Sequence, residues 1–354
     1  MRRLLLLIAF GLAVWALLVA TGGAENSAAP TTAPPPKLCS KFAATNGSDS
    51  NRGTWKRPFQ TPQRLVNSLR PGDTGCLREG TYEARTTVLR FRRAGRPDAP
   101  ITVRSTPGER AKLIGVVYVP HGVDNVRISF LDLDVYNYAQ ESGLAIYADD
   151  VRVENNTITN RSTDQCIMLG NHNGGGEARR TLVRRNYMYD CGDPAQGNQE
   201  HAIYFGNSDG AVIVDNVIVN SAAYAIHLYP DARHALIAHN VIDRTGSGGV
   251  TFSGDDDLAS VDNVVEYNVI TRSARSDIRS HWAGPVGTGN VARFNCVWEA
   301  AEGEIANTGG FDNHSNVVAD PLYRDPDEGD YRLQPGSPCL RVVGYDTAAR
   351  VRRP

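Results

Sequence analysis

One short phrase recurs six times between Val151 and Val297, and it restricts the fold more than any other feature of the chain. It reads Val-Glu-Asn-Asn156-Thr-Ile, Val-Arg-Arg-Asn186-Tyr-Met and Ile-Val-Asp-Asn216-Val-Ile. It continues as Ile-Ala-His-Asn240-Val-Ile, Val-Glu-Tyr-Asn268-Val-Ile and Ala-Arg-Phe-Asn295-Cys-Val. The asparagines lie 30, 30, 24, 28 and 27 residues apart, each flanked by apolar residues three before and two after. A fixed phrase at such a period marks a repeat architecture. Each copy is short, rich in β-branched residues and bounded by Gly, Asp and Asn, which describes a strand. No apolar pattern of 3.6-residue period runs through the repeats, which disfavours helical solenoids. A strand-only unit of this size is one coil of a parallel β-helix, with coils roughly 4.8 Å apart. An asparagine at an inward bend can then hydrogen-bond the copies above and below it, satisfying groups that would otherwise be buried unpaired. The six asparagines read as scaffold.

The N-terminus reads as an address. Met1-Arg2-Arg3 precedes an apolar run from Leu4 to Ala20 and the small residues Thr21-Gly-Gly-Ala24, the layout of a secretory signal. The run is 17 residues, at the lower limit for a span, so an uncleaved membrane anchor is the alternative. The expected layout is a signal over 1–24, a Pro/Ala/Thr spacer over 25–38, a cap and first coils over 39–100, β-helix repeats over 101–319 and a closing segment over 320–354. Export makes the six cysteines readable as disulfides. Cys39–Cys76 would clip the cap, Cys166–Cys191 bridge neighbouring coils, and Cys296–Cys339 tie the last coil to the closing segment, one of roughly 15 possible pairings. No Cys-x-x-Cys or His-x-x-x-His occurs to suggest zinc. A formal net charge of −2 argues against nucleic acid or an anionic membrane as partner. The expected partner is a polysaccharide, met by a monomer.

Residues 46–83 contain Asn46-Gly-Ser-Asp49, Pro58-Phe59, Pro71-Gly-Asp-Thr74 and Gly80-Thr-Tyr82. Thr61 can cap a short helix with Pro62 at its first position and Leu65, Val66 and Leu69 on one face, closing the open end of a solenoid. The tail carries Asp320-Pro-Leu-Tyr-Arg-Asp325, Gly329-Asp-Tyr331-Arg-Leu333 and Pro335-Gly-Ser-Pro-Cys339. Together these motifs resemble the caps and endings of secreted right-handed parallel β-helix proteins, the pectate-lyase-like superfamily, over residues 46–345. The resemblance implies an all-β right-handed parallel β-helix of roughly 8–10 coils with a helical N-terminal cap. It leaves the reaction open, because lyases, hydrolases, epimerases and binders share this scaffold.

A second strand in each coil supplies the candidate site. Its copies read Ile146-Tyr147-Ala148, Ile167-Met168-Leu169, Ile203-Tyr204-Phe205, Ile226-His227-Leu228, Val250-Thr251-Phe252 and Ile278-Arg279-Ser280. Alternation would point the middle residues outward, stacking Tyr147, Met168, Tyr204, His227, Thr251 and Arg279 in one column beside small residues such as Ala145, Cys166 and Ala202. That describes a groove for an elongated saccharide. β-Elimination needs a base, a proton donor to the leaving oxygen and a positive charge at the uronate carboxylate. His227 as base, Tyr204 as donor or base, and Arg233 or Arg279 as the cation would fill those posts, with His201 at the adjoining bend as a further catalytic candidate or a buried, satisfied histidine. The "His-Ala-Ile-Tyr" phrase at 201–204 is one the resemblance implies for the family. Tyr147, Tyr224, Tyr229, Arg279 and His281 are expected to bind substrate. Asp255, Asp256 and Asp257 form a solvated loop, a Ca²⁺ site or the carboxylates of a glycoside hydrolase, although a Gly-His-Gly phrase and an Arg-x-Lys are missing. No lysine follows Lys112, which departs from lyases that use a lysine base. The insertions at 170–177 and 191–200 flank the same coils. The leading expectation is a uronate polysaccharide lyase, the alternatives a hydrolase and a non-catalytic surface binder.

Overall fold

The computed structural model describes residues 38–136, 142–172 and 174–343; the signal sequence and almost all of the spacer lie outside them. Short parallel strands stack into lanes that wind about eight times round one core. The lane preceding the asparagines is an eleven-stranded parallel sheet running from Lys41–Ala43 to Phe311–His314. Its inward positions Val153, Val183, Ile213, Ile237, Val265 and Ala292 pair in direct register. In the lane after the asparagines, Ile158, Met188, Ile218, Ile242, Ile270 and Val297 do the same. All twelve are fully buried, so the apolar–Asn–apolar phrase is a cross-section of the core. Burial of such side chains is worth about 1.5–3 kcal/mol each.

The asparagines sit at the corner between the two lanes. The residue before each holds a left-handed backbone, from Asn155 at φ 58° through Arg185, Asp215, His239 and Tyr267 to Phe294 at φ 54°. That bend turns the next side chain inward. Asn156 Nδ2 donates to Asn186 Oδ1 at 3.1 Å, and the relay continues through Asn216, Asn240, Asn268 and Asn295 at 2.9–3.0 Å. Asn316 extends it as a seventh member, which the six-copy phrase did not include. A second, shorter ladder joins Asn263 Nδ2 to Asn290 Oδ1 at 2.9 Å.

The N-terminal end carries the helix the sequence suggests, and the C-terminal segment packs along the side of the coils. Thr61 accepts the Arg64 amide at the start of the helix Pro62–Ser68, whose Leu65 and Val66 are buried. Cys39–Cys76, Cys166–Cys191 and Cys296–Cys339 are all disulfides. Beyond the coils, Tyr323–Asp325 pairs antiparallel with Asp330–Leu333. From that hairpin the Tyr331 hydroxyl donates to the buried Asp243 at 2.8 Å, where Arg272 also binds. Among the described residues no helix is long and apolar enough to cross a membrane.

Candidate functional site

The third lane of each coil, the groove strand, carries the candidate residues. Its outward column reads Tyr118, Ala145, Met168, Tyr204, His227, Thr251, Arg279 and Ala306 by direct pairing. Met168 therefore lies opposite Ala145, and Tyr147 stands two residues further along the strand than the sequence reading put it. The groove also reaches one coil earlier, to Tyr118, where no asparagine phrase marks the repeat.

Alternation gave the facing but not the exposure. His227 is 8% exposed and Thr251 fully buried, roofed by their neighbours' rings and stems. His201, 1% exposed, lies beneath His227 with ring centroids 4.5 Å apart. Tyr224 stacks on His201 at 5.2 Å and is itself buried, so it supports the cluster from below and does not line the groove. Tyr229 stacks on His227 at 5.0 Å from the groove side, and Tyr204 approaches Tyr229 at 6.0 Å.

The hydrogen bonds of this cluster fix its protons. The backbone N–H of Tyr224 donates to His201 Nδ1 at 3.4 Å, so that nitrogen holds a lone pair. Burial pushes His201 down to about 3, which keeps the ring neutral and its one proton on Nε2. That proton is donated to His227 Nδ1 at 3.0 Å. Burial, followed by unfavourable electrostatics with His201, His281 and Arg279 on protonation, holds His227 well below the usual imidazole range. His227 then carries its proton on Nε2, the nitrogen left for the groove. It is a hydrogen-bond donor, and a role as general base does not fit it. Burial also raises the hydroxyls of Tyr204 and Tyr229, helped at Tyr229 by Asp255 and Asp256, so both stay protonated.

The two candidate arginines separate. Arg233 sits on the short strand Ala232–Arg233 and forms ion pairs with Glu177 and Asp231, and with Asp209 at 3.9 Å. Its charge is satisfied by acids, which removes it as a carboxylate receptor. Arg279 Nε and Nη1 are withdrawn from water and form no hydrogen bond among the described residues. Its stem passes Gly248, where a Cβ would stand 3.2 Å from Arg279 Cδ and 3.0 Å from Thr251 Oγ1. The residue as a whole is half-buried, and a guanidinium with two nitrogens withdrawn from water gains when an anion joins it. His281, two residues on along the same face, is exposed.

The acidic loop does other work. Asp255 Oδ1 accepts the amides of Asp257 and Leu258 at 3.0 and 2.7 Å, closing a turn, while Asp256 and Asp257 face solvent. Among the described residues no three His, Cys, Asp or Glu side chains converge as a group that could hold a metal ion. Asp277, buried under the groove strand, accepts from Ser273 Oγ at 2.7 Å and the Trp298 amide at 3.0 Å. Burial pushes its carboxyl up to about 8.

A parallel β-helix with a lateral groove is a fold shared by proteins that handle polysaccharides. Residues 41–222 match the family described as Pel9A-like, right handed beta helix region, and the chain belongs to it; the coil is right-handed. The uncharacterized protein YwoF of Bacillus subtilis (strain 168) is 23% identical over 346 residues, 86% of this chain and 72% of its own. Among solved structures, pectate lyase Pel9A superposes with a TM-score of 0.61 at 14% identity, over 85% of this chain and 91% of that one. XylC, solved with xylose, gives 0.58 at 12% identity, over 75% and 69% of the two chains. These likenesses establish the shared fold.

Proposed function

We propose that this is a secreted protein whose groove binds an acidic polysaccharide, with Arg279 taking a sugar carboxylate. The observation that carries this reading is the contrast between Arg233, surrounded by acids, and Arg279, half-buried in the groove column with no acid paired to it among the described residues. The Nε2–H of His227 and the hydroxyls of Tyr204 and Tyr229 offer donors to sugar oxygens along the same groove. Three disulfides suit an oxidising compartment.

β-Elimination is the reaction these groups favour. Arg279 neutralises the carboxylate and so acidifies the adjacent carbon. His281, exposed on the same face, takes the proton from that carbon as the carbon–carbon double bond forms and the bond to the leaving oxygen breaks. A phenol returns a proton to that oxygen. Tyr229, in the His281 column and about two rungs away, is better placed for this than Tyr204, whose rung is roughly 14 Å from that of Arg279. Tyr204 then binds a neighbouring sugar. Solvent takes the extra proton from His281 and returns one to the phenolate.

Release of unsaturated uronate from pectic, alginate and glycosaminoglycan polymers, followed in the ultraviolet with and without Ca²⁺, tests the reaction, and calorimetric binding tests the groove. Arg279→Met should abolish release and weaken uronate binding by about 10–150-fold, the worth of hydrogen bonds to a charged group. Binding without release would leave a glycan-binding protein. Reducing-end release from neutral glycans would favour a hydrolase. Uronate binding that survives Arg279→Met would refute the reading.

A further inference from the structure

The net charge of −2 averages over an uneven distribution. Residues 39–100, the cap and first coils, hold twelve Lys or Arg against five Asp or Glu, whereas residues 101–354 hold 22 against 33. The fold gathers the basic excess at one end of the solenoid. Residues 52–59 run along the free edge of the first strand, Lys41–Ala43: the Phe42 N–H donates to Gly53 O at 2.9 Å, and the Phe59 N–H donates to Phe42 O at 3.0 Å. That segment exposes Arg52, Lys56 and Arg57. The cap helix Pro62–Ser68 follows and exposes Arg64, with Arg70 just beyond it. The exposed stretch 92–93 joins them, since the Arg93 guanidinium donates to Leu69 O.

We propose that this basic end docks on an anionic phospholipid surface and that the solenoid stands away from it. The charges are available: Arg52, Lys56, Arg57, Arg70 and Arg92 form no ion pair among the described residues. The acids nearby do other work. Asp49 accepts the amides of Gln60 and Thr61 and the Thr61 hydroxyl, and Asp73 accepts the Arg70 amide. The basic residues come from three segments round one end rather than from one lane, an arrangement that suits a flat array of charges better than a single extended polymer. This is also where the chain enters the domain, because Cys39 is tied to Cys76 in the first coils. Immediately upstream in the sequence lie the spacer 25–38 and the apolar run Leu4–Ala20, so the end of the domain nearest a membrane-seeking segment is the basic one. Screening at physiological salt acts over about 8 Å, and eight coils extend roughly 38 Å. The acidic coils further along the axis therefore do not repel the surface that the basic end touches. Docked by its end, the protein holds its lateral groove clear of the bilayer.

Co-sedimentation of the full chain with lipid vesicles tests this. Phosphatidylglycerol–phosphatidylcholine vesicles are compared with pure phosphatidylcholine, so that insertion of the apolar run contributes equally to both. The chain should bind the anionic vesicles more tightly, and rising salt should remove the difference. The triple variant Arg52→Gln, Lys56→Gln, Arg57→Gln should lose about fivefold per charge, roughly 100-fold in all, on anionic vesicles only. Arg70→Gln with Arg92→Gln should lose about 25-fold and covers the case in which the triple variant fails to fold. Arg152→Gln, Arg275→Gln and Arg324→Gln together change the net charge equally at exposed positions on later coils and in the tail, and should leave vesicle binding unchanged. None of these residues lies in the groove column, so uronate binding that depends on Arg279 should survive in all of them. Equal affinity for both kinds of vesicle, or an equal loss in the control triple, would overturn the proposal. Unchanged vesicle binding with weakened polygalacturonate binding in the first triple would also overturn it, making this end a holdfast for acidic polysaccharide instead.

Discussion

The neutral histidine pair makes the protein's stability depend on acid in a calculable way. His201 is held near pKa 3 when folded, against about 6.5 in an unfolded chain. Between those values the unfolded state binds the extra proton, so stability is complete above about pH 6.5 and is lost as pH falls. At pH 5 the loss from His201 alone is about 2 kcal/mol, at roughly 1.4 kcal/mol per pH unit, and His227 shifts in the same direction. The group is buried, so solvent screening does not reduce that figure much. Because the two rings share one hydrogen bond, their apparent pKa values belong to the pair. His201→Gln offers a test, since the amide oxygen can accept the Tyr224 N–H and the amide nitrogen can donate to His227 with nothing to titrate. Urea unfolding from pH 8 to pH 5, each protein referenced to its own value at pH 8, should show the variant losing about 2 kcal/mol less than wild type by pH 5. An unchanged slope would mean that His201 is not the buried neutral imidazole that fixes the His227 proton, and the donor assignment would fall with it.

Asp277 pulls the other way: its folded value is raised to about 8, so the stability it contributes below about pH 4 is lost as pH rises through 8. Asp277→Asn should therefore melt several degrees above wild type at pH 8.5 and converge with it near pH 4; a variant that melts lower at both pH values would show the carboxylate to be required in its ionised form. Asn216→Ala removes the acceptor for both Asn186 nitrogens and the donor to Val183 O inside a dry column. It should cost on the order of 3 kcal/mol or more in urea unfolding, while Asn316→Ala, at the half-buried end of the ladder, should cost clearly less; equal losses would contradict a ladder stabilised by burial.

The core lanes were legible in the sequence because an apolar–Asn–apolar phrase can serve only one corner of a coil, and six copies repeat it. Asn316 escaped because the residue three before it is Asn313, exposed at the end of the solenoid, so the apolar half of the phrase is missing there. The groove lane was legible in part. Leu144-Ala-Ile146 and Ile146-Tyr-Ala148 obey the same alternation, and a shift of two residues preserves which side faces out. Only the ladder to Val117-Tyr118-Val119 above and Ile167-Met168-Leu169 below selects the first. Residue types alone also gave the two arginines equal claims. What divides them is Glu177, 56 residues from Arg233 along the chain and beside it in the fold, a separation that local pattern does not reveal. The histidines show the same limit most sharply. Spacing placed His201 and His227 on adjoining coils, which suggested acid–base chemistry. Yet the proton on His227 is decided by a backbone amide at Tyr224 and by the depth at which both rings are buried. A sequence can nominate a base; the lone pair that makes it one is placed by the folded surroundings, and here the Nδ1 lone pair of His227 is taken up by the His201 proton.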